Sequence, residues 1–220
     1  MGQKGTFMTL YRHYKNMLYR SKGLVRHSET LESMVFYEAL YDNPKGKLWV
    51  RPEAMFFEHV EVDGQIKPRF AKVDISYPEF TSLSPELRSE VEQLCRAYLP
   101  HWKAEQFESR LRKYPSIHVV LAKMEGSTIG FILGYKMSEK TFYSWLGGVA
   151  PEYRSLGIAS RLIEAQESWC LEQGFTQLQT KCLNDNQSMI QLNSRHRYLI
   201  TSLQMTDDGI KLVFEKKLGS

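Results

Sequence analysis

Cysteine is scarce. Only Cys95, Cys170 and Cys182 occur, an odd number with no Cys-x-x-Cys pair. A disulfide framework and a cysteine zinc site are therefore not expected, no metal is implied, and a reducing cytoplasm is the expected compartment. Long apolar runs are missing as well. No stretch approaches the roughly 20 apolar residues that span a bilayer. The opening MGQKGTFMTLYRHYK has no apolar block of a secretory leader, so no membrane partner is expected. Gly2 with Thr6 fits the short myristoylation pattern, a match of little weight by itself. Internal repeats and low-complexity tracts are absent, and 14 Gly and 8 Pro in 220 residues are too few for a fibrous or disordered chain. Charge of one sign is also lacking. The net charge is only +4, and residues 1–72 carry all of it, with 12 Lys+Arg against 8 Asp+Glu. A solvated face accounts for that excess, and nucleic acid is disfavoured as a partner because clustered basic residues are wanting.

What is present divides in two. Up to about residue 70 the apolar segments are short, aromatic and broken by turns: Met17–Tyr19, Met34–Leu40, Leu48–Val50, Phe57–Val62 and Ile66–Phe70. Asn43-Pro44-Lys45-Gly46 and Asp63-Gly64 punctuate them, and Asp-Gly between apolar runs is a hairpin signal. Residues 1–72 thus read as a small β-rich, barrel-like domain, a partly open barrel whose length buries only a modest core, and residues 73–83 as a linker. Residues 84–218 alternate helix and strand. Ser84-Pro85-Glu86 supplies an N-cap, an N1 proline and a first-turn acid. Leu87, Val91, Leu94, Cys95 and Tyr98 follow at helical spacing, and Pro100 ends the run. A helix over 104–113 comes next, with Phe107 and Leu111 inward. Strands are predicted over 117–124, 129–137 and 142–149, then a helix ending before Gly174, a strand over 175–182, a helix over 186–195, and strands over 198–205 and 210–216. The order ααβββ-α-β-α-ββ is that of an α/β layer fold, a mixed sheet with flanking helices.

The most informative segment runs from Trp145 to Leu162. A strand ends in Gly147-Gly148-Val149, Pro151 breaks it, and Arg154-x-x-Gly157-x-Ala159 opens a helix. The first amides of such a helix lack intrahelical acceptors, and its dipole adds about half a positive charge there. Gly157 and Ala159 let a diphosphate approach the backbone, and Arg154 adds a full charge. Small residues that merely assist packing would leave the same trace. The segment is neither the dinucleotide fingerprint, for want of a third glycine, nor a Walker loop, for want of Gly-Lys-Ser/Thr.

Val149 through Ala159 resembles the coenzyme A motif of the GCN5-related N-acetyltransferases (GNAT), and the order of elements over residues 76–218 resembles that acyl-CoA N-acyltransferase fold. Asn184-Asp-Asn-Gln-Ser-Met-Ile-Gln-Leu192 is similar to a second motif of the family, with Asn186 opening the helix. The resemblance implies acetyl-CoA as co-substrate, lying in a splay between the strand that ends at Val149 and the strand over 175–182. It implies that Gly148 and Val149 hold the pantetheine arm and that Arg154, Ser155, Leu156, Gly157, Ile158, Ala159 and Ser160 receive the pyrophosphate. Asn186 would then lie near the pantetheine or its thioester.

The implied reaction is attack by a primary amine on the acetyl thioester. It needs a neutral amine, an oxyanion donor and a proton for the leaving thiolate. The Val149 amide, freed at the splay, is the candidate donor, and fixed donors of that kind are worth about 3–4 kcal/mol of barrier. The proton donor departs from the family pattern. Where a tyrosine commonly follows the second-motif asparagine by seven residues, this chain has Asn193, which cannot act as an acid at neutral pH. The usual closing Gly-Phe is Arg197-Tyr198. Tyr198 could replace the missing phenol or pack as the start of a strand. Tyr143, Ser144 and Trp145, with His101, His118, Glu139 and Glu152, complete the candidate bases, and the catalytic assignment stays open.

Residues 5–70 resemble a bacterial domain of unknown function, DUF1653, through Tyr11-Arg-His-Tyr-Lys15, His27-Ser-Glu-Thr30, Val35-Phe-Tyr-Glu-Ala-Leu-Tyr41, Trp49-Val-Arg-Pro52, Met55-Phe56 and Pro68-Arg-Phe70. That names no activity. His27, Ser28 and Glu29 are triad-like types, but they are consecutive, and working triads converge from separate elements. Arg12, Arg26, Arg51 and Arg69 among Tyr11, Tyr14, Trp49 and Phe70 suit either a recognition face or an aromatic core with arginines at its rim. The expectation is an acetyl-CoA-dependent N-acetyltransferase acting on a small-molecule or peptide amine, with a homodimer left open. The rival readings are an acyl-CoA-binding sensor or scaffold without efficient turnover, and a nucleic-acid-directed modifier.

Overall fold

The computed structural model describes residues 9–100 and 102–219. Gly2, Thr6 and His101 lie outside them. The chain separates into two compact units, residues 1–75 and 76–220.

In the first unit, β1 (Leu10–His13), β2 (Leu18–Arg26), β3 (Ser33–Ala39) and β4 (Leu48–Pro52) precede a one-turn helix α1 (Glu53–Phe57). Then follow β5 (His59–Val62), β6 (Gln65–Pro68) and β7 (Phe70–Val73). Five strands form an antiparallel sheet in the order β4-β3-β2-β1-β7, an open path rather than a closed barrel, and β5 and β6 form a separate hairpin. Asp63, at φ 51°, and Gly64, at φ 72°, make its turn, the left-handed pair that an Asp-Gly hairpin requires. Tyr19, Val35, Tyr37, Ala39, Phe56 and Phe70 are the core. Phe56 lies flat on Phe70, with centroids 4.0 Å apart.

Tyr19, Tyr37, Phe56 and Phe70 therefore face inward, with Tyr11 and Trp49 half-buried against them. Arg51 sits 6.0 Å from the Phe70 ring centroid, and Arg69 sits over Tyr14 while pairing with Glu58 at 2.5 Å. This is the core-and-rim arrangement. Buried Glu38 is held by Arg20 at 2.5 Å, Lys22 at 3.0 Å and Lys47 at 3.2 Å. The Arg20 hydrogen bond above all lowers its carboxyl to about 2. His27 spends Nδ1 accepting the amides of Glu29 and Thr30, so the triad-like trio is an exposed turn.

The two-residue strand β8 (Ile75–Ser76) spans the boundary and β9 (Glu79–Phe80) follows, so the stretch 73–83 contributes to a sheet edge. The second unit continues with α2 (Pro85–Tyr98), α3 (Ala104–Lys113), β10 (Ile117–Met124), β11 (Ser127–Lys136), β12 (Thr141–Val149) and a 3-10 turn (Pro151–Tyr153). After these come α4 (Ile158–Glu172), β13 (Gln177–Leu183), α5 (Gln187–Arg195), β14 (Leu199–Thr206) and β15 (Gly209–Lys217). The sheet order is β14-β15-β13-β12-β11-β10-β8, with β9 also on β10. β9 and β11 pair antiparallel with β10, β11 with β12, and β15 with both β13 and β14, whereas β12 and β13 run parallel.

The Ser84 side chain accepts the Leu87 amide at 3.2 Å and so caps α2. Leu87, Val91, Leu94 and Cys95 of that helix pack with Ile117, Val119 and Leu121 of β10. His118, between them in sequence, instead stacks on Trp169 of α4 at 4.1 Å. Because successive strand residues face opposite ways, α2 and α4 cover opposite faces of the sheet. His118 is thus wholly buried. A side chain sealed in this way cannot reach a cleft, which removes His118 from the candidate bases.

Candidate active site

The parallel pairing of β12 with β13 is short. It runs from Thr141↔Gln177 to Tyr143↔Gln179 and stops, although both strands continue. β13 keeps its partner on the other side, paired with β15 through Leu183. From Ser144 to Val149 the edge of β12 that faces β13 is therefore unpaired, and the sheet opens as a V.

A bulge helps to bend it. Against β11 the register passes from Leu133↔Leu146 to Gly134↔Ser144, leaving Trp145 as the extra residue. The bulge seats where β11 has no side chain: a Cβ on Gly134 would lie 2.7 Å from the Tyr143 carbonyl and 2.3 Å from Phe142 Cε1. At the end of β12 the Ala150 amide donates to the Ile129 carbonyl at 2.9 Å. Strand alternation then turns the amide and carbonyl of Val149 the other way, toward the open side. Arg154 confirms that direction, since its Nε donates to the Val149 carbonyl at 3.2 Å. Gly148 lies against α2, where a Cβ would meet Tyr98 Cβ at 3.0 Å.

Past the 3-10 turn the chain takes left-handed φ at Ser155, 62°, and at Gly157, 78°. Gly157 occupies the N-cap of α4 and offers no side chain to its amides. A Cβ built on Gly157 would find nothing within 4 Å. The backbone conformation favours glycine there, and the space in front of it is open. Ile158, Ala159 and Ser160 form the first turn, and Ile158 is buried beneath it. The fold thus brings Gly148, Val149, Arg154, Ser155, Leu156, Gly157, Ile158, Ala159 and Ser160 to one place, the mouth of the V and the uncapped end of α4. The orphan amides, the helix dipole and the empty space suit an anion.

Asn186 is the N-cap of α5, its Oδ1 accepting the Met189 amide at 3.1 Å. It also borders a cleft of about 620 Å³ that residues of both β12 and β13 line. Trp145, Tyr143, Tyr135, Arg110 and Lys181 line that cleft too. Burial raises the phenol of Tyr143 far above its ordinary value. Trp145 stacks on Phe107 with centroids 5.7 Å apart.

Asn193 does not border the cleft. It is 2 % exposed, and its Nδ2 has no hydrogen-bond partner among the described residues. Arg197 does take the left-handed conformation, at φ 63°, that a glycine would hold more easily after α5. Tyr198, also absent from the cleft, packs beside Glu167 and Cys170 of α4 and Lys216 of β15. Burial, with Glu167 next, lifts its phenol well above the usual range. It immediately precedes β14. Glu139 is 88 % exposed and pairs with Lys136, and Glu152 is exposed in the 3-10 turn.

Sequence reasoning missed Tyr98, Arg110, Tyr135 and Lys181 as neighbours of the site. No local signal marks them, because sheet order and helix packing assemble the wall.

A sheet splayed in this way, with an uncapped helix entered through glycine at the opening, is the acyl-CoA N-acyltransferase fold. The chain belongs to the GNAT acetyltransferase family: residues 82–196 match the family model described as Acetyltransferase (GNAT) family. Residues 9–72 match the family described as Protein of unknown function (DUF1653). Among solved structures the chain is similar to Ard1 from Thermoplasma volcanium, at 22% identity and a TM-score of 0.57, covering 66% of this chain and 99% of that one. It is also similar to the ribosomal-protein-S18-alanine N-acetyltransferase from Escherichia coli, at 15% identity and 0.56, covering 67% and 95%. A GNAT family acetyltransferase from Elizabethkingia anophelis with acetyl-CoA bound aligns at 16% identity and 0.55, covering 66% and 98%. No curated protein sequence matches the chain.

Proposed function

We propose that this protein transfers the acetyl group of acetyl-CoA to a primary amine by direct attack on the thioester. The observation that carries the reading is the loss of pairing between β12 and β13 beyond Tyr143↔Gln179. It leaves an open strand edge that leads to the uncapped amides of α4. In this reading residues 154–160 receive the pyrophosphate, and Gly148 and Val149 hold the pantetheine arm. Asn186 stands near the thioester through the groups its capping bond leaves over.

The amine nitrogen bonds to the acetyl carbon, the C–S bond breaks, and the thiolate takes a proton. The amine gives up its extra proton to water. The Val149 amide, turned toward the opening, donates to the developing oxyanion, a contribution of about 3–4 kcal/mol. Alignment of amine and thioester in the cleft supplies much of the rest. Isothermal titration with acetyl-CoA, followed by thiol release with a panel of amines, tests this. Saturable binding and amine-dependent thiol release are expected, and absence of acetyl-CoA binding by the folded protein overturns the reading.

A second reading has one observation in its favour. The position expected to hold a phenol is Asn193, and Tyr198 is packed against α4. A protein that binds acyl-CoA as a sensor would need no proton donor. Binding of acetyl-CoA without amine-dependent thiol release would select it.

A further inference from the structure

The wall of the cleft is strongly one-sided in charge. Lys103, Arg110, Lys181 and Lys211 line it, and among the described residues Asp208 is the one acid in that lining. Asp208 is already engaged with Lys211 at 3.2 Å. Lys103, Arg110 and Lys181 make no ion pair with any carboxylate among the described residues. Two of these cations are held in place by neutral groups. Arg110 donates through Nη1 to the Tyr135 hydroxyl at 2.9 Å and lies 5.9 Å from the Tyr135 ring centroid and 5.6 Å from that of Trp145. Lys181 donates to Gln204 Oε1 at 2.9 Å and stands 5.6 Å from the Tyr143 ring.

On the reading given above, this cleft takes the amine. A polycationic amine would meet a surface of its own sign. We infer that the acceptor is a small amine that also bears a carboxylate, received by Arg110 with Lys181 beside it. The planar fork of a guanidinium steadied by a hydroxyl and by two rings matches a planar carboxylate, whereas a lone ammonium would not fix its orientation. The same cations act on the nucleophile. Positive charge nearby disfavours the ammonium form of the amine and raises the neutral fraction that attacks the thioester. The cleft thereby does part of the work of the general base that the described residues do not supply at an evident position. Its aromatic floor, with Trp145 turned in by the bulge, adds apolar surface for the body of the acceptor.

The experiment compares matched triplets: an α-amino acid, its amide, and the amine without the carboxyl group, in aromatic, aliphatic and acidic series, with spermidine and phosphoethanolamine alongside. Values of kcat/KM are corrected for the fraction of neutral amine, and binding of each member to the coenzyme A-loaded protein is measured by calorimetry. In at least one series the carboxylate member is expected to lead its partners by about 10- to 100-fold, the worth of a hydrogen bond to a charged group. Arg110→Met should erase that lead while the KM for acetyl-CoA holds, and Arg110→Lys should restore it only in part. Equal rates and binding within every triplet, or a lead for spermidine or phosphoethanolamine, overturns the inference and leaves acetyl transfer standing. Failure of acetyl-CoA itself to bind is the separate failure of the underlying reading.

Discussion

Tyr143 and Gln179 form the last register pair between β12 and β13. Up to that rung the sheet is closed by backbone hydrogen bonds, and beyond it each strand keeps one paired edge and exposes the other. The bulge at Trp145 begins two residues later, so loss of pairing and change of direction coincide in space. One local event therefore makes both the slot beside Val149 and the cleft lined by Trp145.

On the proposed placement of the pyrophosphate, Gly157→Glu is expected to reduce acetyl-CoA affinity by at least about 100-fold, because it adds negative charge at that turn. The added side chain has open space, so the fold should survive, at a cost of about 1–2 kcal/mol for an L-residue held at positive φ. Gly157→Asn controls for that strain, because asparagine tolerates the conformation and adds no charge. Calorimetry with acetyl-CoA and thermal unfolding of both variants check the pair.

Gly134→Ala should be the more damaging of two glycine substitutions in the sheet. Its Cβ collides with the Tyr143 carbonyl at 2.7 Å, a backbone atom of the bulge itself, and with the Phe142 ring. Gly148→Ala presses on Tyr98 Cβ at 3.0 Å, and α2 can yield by a few tenths of an ångström. We expect about 3 kcal/mol or more for the first and about 1–2 kcal/mol for the second. Denaturant unfolding measures the order, and a reversed order would contradict the bulge geometry.

His118 should make stability depend on pH. Burial lowers its imidazole to about 4, while its Nε2 donates to Glu79 at 2.9 Å. The unfolded chain, with an ordinary histidine near 6.5, binds the proton first. Stability from this site is therefore complete above about pH 6.5 and declines as the pH falls toward 4. The loss over that window is about 2–3 kcal/mol. His118→Phe keeps the stack on Trp169 and should flatten that part of the curve, which urea melts at several pH values would register.

Asn193→Leu should leave stability unchanged or raise it by about 1 kcal/mol. The residue is 2 % exposed and its Nδ2 is unpartnered, so an apolar group of similar size removes a desolvation penalty. A drop in the melting temperature of several degrees would show that the amide has a partner that matters. Retained thiol release in this variant would exclude a proton-relay role for Asn193.

Much of the second unit was legible residue by residue. The spacing of Leu87, Val91, Leu94 and Cys95 and the cap at Ser84 place α2 correctly, and the helix over 104–113 and the strand over 117–124 fall on α3 and β10. Those elements carry local signals: periodicity, a cap, a proline. The first unit was harder. The stretch Phe57–Val62 reads as one apolar segment, yet it holds the end of α1 and then β5, and Ile66–Phe70 is split between β6 and β7. Short aromatic runs carry no period long enough to tell a helical turn from a strand.

What the sequence by itself determined is the glycine-entered turn that opens α4. A glycine at an N-cap and small residues in the first helical turn act through backbone geometry only a few residues long, and the order of helices and strands follows from the same short-range rules. What only the tertiary structure decided is which side chains meet across the opening. Arg110 on a helix, Tyr135 and Trp145 on adjacent strands and Lys181 on a parallel neighbour share a wall because of strand order and a bulge. The same long-range packing set Tyr198 against α4 and sealed His118 beneath Trp169. Such contacts depend on sheet register between distant segments, and no local pattern encodes register.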